Sequence, residues 1–278
     1  MAASVQAWFE SLVPLHPDKS ETAYCQSWCH QLGDASGSEF MRAVRGGWLA
    51  GNLSQVFIAG YQAAIRQTFS NPGLTGIAAF AVSEDRSTTS PLPGVIWHPH
   101  AEGVMLSGYK TWVAAIAQVE HLIVKARGKE AGQSGFFVVP VTLEKVQLDE
   151  YPAPSRLPGL SQGRAFLDQV VLPATGRLDS AHVADFARHE ALFIYSAFLA
   201  LVWRSTPDGA KEKAAAGALL EDMEQHFAAQ TSTLDLSSFD EQVQSLRQQL
   251  AGGRWSEDAD FLRDQSLIAM YSRVLGHH

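Results

Sequence analysis

The chain has 278 residues, 46% of them hydrophobic, and a formal net charge of −8. That length builds one large domain or two to three small ones sharing a core, with enough apolar side chains to bury it. Acidic and basic residues are interspersed, so the chain has no basic stripe of the kind that condenses on phosphate backbones, and nucleic acid is excluded as an expected partner.

The first twenty residues, MAASVQAWFESLVPLHPDKS, carry neither a basic leader nor a long apolar run. No later segment approaches the ~18 consecutive apolar residues of a membrane span. A soluble, cytoplasmic protein is expected. Cys25 and Cys29 stand beside His30 in YCQSWCHQ, but no further ligands follow at matching spacing, so reduced structural thiols are expected rather than a metal site.

Apolar residues recur at helical spacing from Ser38 to Phe69 without a proline, which predicts a helical stretch buried on one face. Gly46, Gly47, Gly51 and Gly60 within it would let another helix approach closely. Asn71, Pro72 and Gly73 are expected to stop it. From Gly76 to about Leu178 the texture changes to short β-rich runs between Gly, Pro and Asp turns, which predicts a strand-rich domain. From His182 the helical period returns in HVADFARHEALFIYSAFLALVWRS, AKEKAAAGALLEDMEQHFAAQ, SFDEQVQSLRQQLAGG and DADFLRDQSLIAMYSRVL. The layout is therefore α+β: a helical domain over 1–75, a β-barrel or sandwich over 76–178 and a helical bundle over 179–278.

Within the β-rich part, VMLSGYKTWVAA (Val104–Ala115) reads as two strands joined by a tight turn at Gly108, yet it sets Lys110 two residues from Trp112. His98 and His100, in WHPHAEG, are expected in a turn; the intervening Pro99 and the lack of a third ligand argue against metal. No Gly-rich phosphate loop, nucleophile elbow or metal cluster is present, and RGGWLAG lies within a helical pattern.

Three segments in order resemble the acyl-CoA dehydrogenase family. LSGYKTWVAA matches its Gly-x-Lys-x-Trp strand through Gly108, Lys110 and Trp112. Ser83–Ser90, SEDRSTTS, echoes the family's TEPxxGSD at equal length, and RAFLDQVVLP, with Val170 and Pro173, echoes the segment that closes the barrel. The resemblance implies N-terminal helices, a middle β-barrel and a C-terminal bundle, FAD as cofactor, and an acyl thioester as substrate, dehydrogenated at its α,β-bond. It implies flavin contacts at Trp112, Val113, Ala114 and Ser83, and substrate contacts at Thr89 and Ser90. Trp112 is then either a flavin-stacking ring or a packed strand tryptophan, and Lys110 either a functional group or a solvated or turn-bonded charge.

The departures from the pattern weigh on the cofactor. Val113 and Ala114 lack the hydroxyl that the family presents to the flavin. Thr88, Thr89 and Ser90 replace Gly-Ser-Asp. RSTPDGAKEKAAAGALL stands where the family carries an arginine and a glutamine for a partner subunit's FAD. Losing such charge-assisted bonds to a pyrophosphate removes ~1.5 to 3 kcal/mol apiece.

Dehydrogenation also needs a carboxylate to remove the α-proton. The chain end offers no match to the family's common position. HEALFIYSAFLALV instead resembles the first bundle helix of a minority of members, including isovaleryl-CoA dehydrogenase, and places Glu190 at the base position. Glu190 is then either that base, or a glutamate that is solvated or paired with Arg188 or His189. WSEDADFLRD resembles a segment in which Trp255, Arg263 and Asp264 would anchor the last helix.

Two function classes follow. One is a flavin oxidoreductase of acyl-CoA dehydrogenase type, with a flavin monooxygenase as a related variant. The other is a degenerate homologue that serves as a partner subunit or ligand-binding protein. ALFIYSAFLALVW is apolar almost all round, which predicts a homo-oligomer, or a hetero-oligomer with a full-length relative, to cover it.

Overall fold

A computed structural model describes residues 5–10, 18–33, 37–69, 74–128, 133–229 and 234–275. The expected helix stop at Asn71, Pro72 and Gly73 lies outside the described residues. The chain divides into two compact units, Met1–Gln67 with Asp185–His278, and Thr68–Ala184.

The first unit is helical. Its amino-terminal part contains α1 (Val5–Glu10), α2 (Glu21–Trp28), α3 (Glu39–Leu49) and α4 (Leu53–Thr68). Its carboxy-terminal part contains α5 (Phe186–Ser205), α6 (Lys211–Ala228), α7 (Leu236–Gly252), α8 (Ala259–Asp264), α9 (Ser266–Met270) and α10 (Ser272–Leu275). Side chains that accept a hydrogen bond from an otherwise orphaned amide start several of these: Ser20 from Ala23, Ser38 from Met41, and Asp258 from Phe261.

The stretch from Ser38 to Phe69 is two helices rather than one. Asn52 Oδ1 accepts from the Gln55 amide at 3.0 Å, and Gln55 Oε1 reaches back to the Gly51 amide at 2.6 Å. This reciprocal pair closely resembles a capping box and starts a new helix at Leu53.

Helix α5 runs through the middle of this unit. Every residue from Ala191 to Val202 is buried, Ser196 included, and its Oγ donates to the Leu192 carbonyl. The chain's own helices therefore cover the face that was expected to need a partner chain, and the argument for an oligomer built on α5 falls. Close approach explains how. A Cβ on Gly47 would lie 2.1 Å from the Ala197 carbonyl oxygen, and one on Gly60 2.5 Å from the Ile194 backbone. These glycines let α3 and α4 seat against α5 backbone to backbone. Gly60→Ala is expected to destabilise by about 1–3 kcal/mol despite alanine's better helix propensity, because the obstacle is backbone that cannot swing aside. Urea unfolding checks this; an unchanged midpoint would mean that the helices part without penalty.

Among the described residues, the second unit contains one eight-stranded sheet: β1 (Ile77–Ala81), β2 (Ile96–His100), β3 (Gly103–Ala114), β4 (Val119–Gly128), β5 (Ser134–Pro140), β6 (Val146–Glu150), β7 (Gln162–Leu172) and β8 (Arg177–Leu178). Its order is β6-β7-β3-β2-β4-β5-β8, with β1 pairing beside β4. The β1–β4 and β2–β4 pairs are parallel and the others antiparallel. Leu106, Val113, Leu122, Val124, Phe137, Val139, Leu167 and Val170 converge on one apolar core. Alternation along β4 and β7 sends these side chains to one face; on β4 the opposite face is exposed at Glu120 and Lys125 but buried at Ile123.

Two local expectations fail here. Gly103–Ala114 is a single strand, not a hairpin turning at Gly108. His98 and His100 lie on strand β2, paired with Met105 and Gly103, rather than in a turn. Among the described residues no helix is long and apolar enough to cross a membrane.

Candidate functional site

The strand β3 explains its Gly-Lys-Trp pattern. Gly108 sits at φ +128°, a conformation open to glycine, where the pairing with β7 shifts register between Leu106 and Gly108. A Cβ there would lie 2.5 Å from the Gly94 carbonyl oxygen. Glycine thus admits the segment between β1 and β2, which returns alongside β3: the Tyr109 amide donates to the Pro93 carbonyl at 2.8 Å and the Thr111 amide to the Ser83 carbonyl at 3.0 Å.

Lys110 is fully buried, contrary to a solvated or turn-bonded charge. Its Nζ donates to Glu84 Oε1 at 2.8 Å, and Arg127 stands 3.8 Å from the other carboxylate oxygen. Burial lowers the lysine's pKa and the Glu84 contact opposes that fall. Gly94 leaves room for the carboxylate, since a Cβ there would lie 2.4 Å from it. Lys110 is therefore the clamp that holds the 82–95 segment against the sheet.

That segment carries the expected ligand contacts. Ser83 is exposed next to the clamp, and Thr89 and Ser90 are exposed at the segment's outer bend. Asp85 shapes the bend by accepting from the amides of Ser87 and Leu92, at 2.8 and 2.9 Å, and these amides hold its carboxyl below the usual range. Trp112 is partly buried on β3, its indole N–H donating to Gln162 Oε1 at 3.0 Å. Val113 and Ala114, next along the strand, are buried and present no polar side chain. The structure thus brings Ser83 and the stretch leading to Trp112 together through Thr111, and leaves Thr89 and Ser90 at the outer bend.

Glu190 belongs to the helical unit, on the first turns of α5 and partly buried. Burial pushes its carboxyl up to about 7, opposed by a hydrogen bond donated by the Tyr271 hydroxyl. Arg188 and burial together hold His226 below its ordinary range, and His189 lies against Phe193, ring centroids 6.2 Å apart. Tyr271 is the residue that sequence reading missed; it sits in the apolar-looking end of the chain, where no local pattern marks it. Trp255 packs edge-on against Phe261 at 4.7 Å, and Arg263 pairs with the buried Asp264 beside it at 2.7 Å, a bond internal to α8.

The groups that could meet the ring portion of a flavin are the Trp112 indole, held by Gln162, and the exposed Ser83 on the clamped segment. The chain supplies less to a pyrophosphate. Arg204, near the end of α5, gives its guanidinium to the Trp48 and Ala50 carbonyls, and Lys213 pairs with Asp208 at 2.6 Å. Among the described residues no group of three or more His, Cys, Asp or Glu could hold a metal ion; Cys25 is buried and Cys29 partly buried, and neither is in a disulfide.

No protein-family model matches the sequence, and no curated protein matches it significantly. Solved structures do match. FkbI, for biosynthesis of a methoxymalonyl extender unit, superposes with a TM-score of 0.59 at 17% identity, covering 84% of this chain and 81% of that one. The prolyl acyl carrier protein oxidase AnaB gives 0.59 at 14%, covering 91% and 84%. A glutaryl-CoA dehydrogenase from Mycobacterium smegmatis in complex with FADH2 gives 0.53 at 13%, covering 90% and 88%. The chain has the acyl-CoA dehydrogenase fold. At these identities the likeness is one of fold.

Proposed function

We propose that this chain is a flavin-dependent oxidoreductase acting on an acyl thioester, with Glu190 as the base that takes the α-proton. The observation that carries the reading is Glu190 itself, a partly buried carboxyl at the head of an apolar helix, pushed by burial up to about 7 with the Tyr271 hydroxyl opposing the rise. A base so poised is largely ionised just above neutrality, yet binds a proton far more strongly than a solvated glutamate, as abstraction of a weakly acidic C–H requires. A bound FAD would supply the acceptor for the hydride that leaves the β-carbon. Trp112 would pack against its ring, the backbone of Val113 and Ala114 would line it, and Ser83 would supply a hydroxyl; Thr89 and Ser90 would meet the substrate. The structures of FkbI, AnaB and glutaryl-CoA dehydrogenase carry the same fold, and two of those names refer to acyl-thioester chemistry.

A second reading, a cofactor-free homologue that binds a ligand or a partner, is favoured by one observation. Two cations of the first bundle helices, Arg204 and Lys213, are spent on carbonyls and on Asp208 rather than left for a pyrophosphate. The purified protein separates the two. Visible flavin absorbance, or uptake of added FAD that Trp112→Ala weakens, is expected; a colourless protein that takes up no FAD would overturn the flavoenzyme reading.

A further inference from the structure

Trp112 is held by a neighbouring strand. Its indole N–H donates at 3.0 Å to Oε1 of Gln162, which opens β7 and stands directly across from Ala114 in the β3–β7 pairing. Along β7 the alternate residues Gly163 and Ala165 are buried, whereas Gln162 and Arg164 are partly exposed, so Gln162 projects from the face away from the apolar core. Backbone bonds fix its position from both sides. The Tyr151 amide donates to the Gln162 carbonyl at 2.7 Å, and the Tyr151 hydroxyl donates at 3.1 Å to the carbonyl of Thr111, the residue before Trp112. On the other side, Ser161 Oγ accepts from the Ala117 amide at 3.0 Å.

The bond to Trp112 also fixes which way the Gln162 carboxamide is turned. An indole nitrogen can only donate, so the carboxamide oxygen faces it and the NH2 group takes the other place. Among the described residues that NH2 group has no acceptor. Two N–H bonds therefore stand unspent beside the indole. A flavin ring presents the complementary chemistry, since carbonyl oxygens and ring nitrogens along its edge accept hydrogen bonds. Strand β3 has no side chain to meet them: the N–H of Trp112 is spent on Gln162, and Val113 and Ala114 are apolar.

We propose that Gln162 is a cofactor-binding residue, its Nε2 donating to an acceptor atom on the edge of a flavin ring packed on Trp112. The proposal rests on the reading of this chain as a flavoenzyme. One carboxamide then serves both partners, Oε1 orienting the indole and Nε2 holding the ring laid against it. Tyr151, by tying the Gln162 and Thr111 carbonyls, is a positioning residue for both groups. This ring subsite draws on neither Arg204 nor Lys213, whose bonds are made elsewhere.

Gln162→Glu separates the two halves of the carboxamide, because glutamate keeps an oxygen for the indole and loses both donors. The full-length protein is used at pH 8, where a glutamate carboxyl is ionised. Without ligand, the Trp112 indole N–H resonance, assigned by its loss in Trp112→Phe, is expected to stay downfield in Gln162→Glu and to move upfield in Gln162→Met. FAD binding, read from quenching of flavin fluorescence, is expected to weaken at least about tenfold in Gln162→Glu, and riboflavin, which has the ring and no phosphate, by a similar factor. In the wild type the Gln162 carboxamide resonances, identified by their absence in Gln162→Glu, are expected to shift when FAD is added; this readout does not depend on how any variant folds. Affinities in Gln162→Glu within about twofold of wild type, or carboxamide resonances that FAD leaves in place, overturn the assignment of Gln162 and leave the flavoenzyme reading standing. A protein that takes up neither FAD nor riboflavin refutes both. Weakened riboflavin binding in Gln162→Glu, in a protein that dehydrogenates no acyl thioester, supports the role of Gln162 and refutes the assigned reaction.

Discussion

Glu190→Gln is expected to abolish most turnover of an acyl thioester, by the ~10²-fold to 10⁴-fold that loss of a general base causes, while flavin content and fold persist. Glutamine keeps the size of the side chain and an oxygen to accept from Tyr271, and removes only the basicity. The same variant has a second, independent signature in stability. The folded-state pKa is raised from 4.5 to about 7, so the folded protein holds a proton on Glu190 that the unfolded chain has released. The contribution of Glu190 to stability is complete below about 4.5 and is lost as pH rises through about 7. Glutamine has no proton to lose. Wild type and variant should unfold at similar urea concentrations near pH 4.5, and the variant should become the more stable by about 3 kcal/mol at pH 8, at ~1.4 kcal/mol per tenfold change in proton affinity. Urea midpoints for the two proteins across that range measure it. Parallel curves would show that Glu190 is solvated in solution; full turnover by the variant would place the base elsewhere.

The parts of this architecture that were legible in the sequence are those that depend on local pattern. Helical period, then short β-rich runs, then helical period describes the order of elements seen, and Gly47 and Gly60 do seat helices against α5. What failed depends on partners distant in sequence. A glycine between two apolar runs looks like a turn, but Gly108 is a glycine because the Gly94 carbonyl crosses over it. A lysine in a strand looks solvated unless Glu84, 26 residues earlier, is known to fold back onto it. Helix α5 looks as though it wants a partner chain, because periodicity reports how apolar a helix is and not which helices surround it. Glu190 stands out in the sequence as the one carboxylate at the head of an apolar helix, whereas Tyr271, which opposes the rise in its pKa, carries no local signal, since most of the carboxy-terminal sequence lies between them. The division between α3 and α4 is a different case: its signal, Asn52 followed three residues later by Gln55, is local and was masked by the continuous apolar period around it.

Glu84→Gln is expected to be among the most damaging single changes to the sheet unit, worse than removing the lysine it pairs with. Lys110 is fully exposed to the cost of burial, whereas Glu84 retains 31% side-chain exposure and has Arg127 at hand. Removing the carboxylate leaves a buried ammonium facing an amide and the more distant Val82 carbonyl at 3.5 Å, and breaking a buried pair from that side costs about 3–5 kcal/mol. Lys110→Met leaves instead a carboxylate that water can reach, and about half that cost is expected. The double variant Glu84→Gln/Lys110→Met buries no charge and should recover much of the loss, which a double-mutant cycle on urea unfolding would show as coupling between the sites. The pH dependence has a definite sign. Burial already lowers the pKa of Lys110 below its ordinary value of 10.5, and in Glu84→Gln the opposing contact is gone. A folded pKa depressed below the unfolded one makes stability rise with pH up to about 10.5, so this variant should gain more from alkali than the wild type does. The local consequence is release of the 82–95 segment, read as faster hydrogen exchange at the amides of Tyr109 and Thr111, whose acceptors are the Pro93 and Ser83 carbonyls. If Glu84→Gln unfolds within about 1 kcal/mol of wild type at neutral pH, with those amides still protected, the pair does not hold the segment. Ser83, Thr89 and Ser90 would then be placed by the Asp85 turn alone.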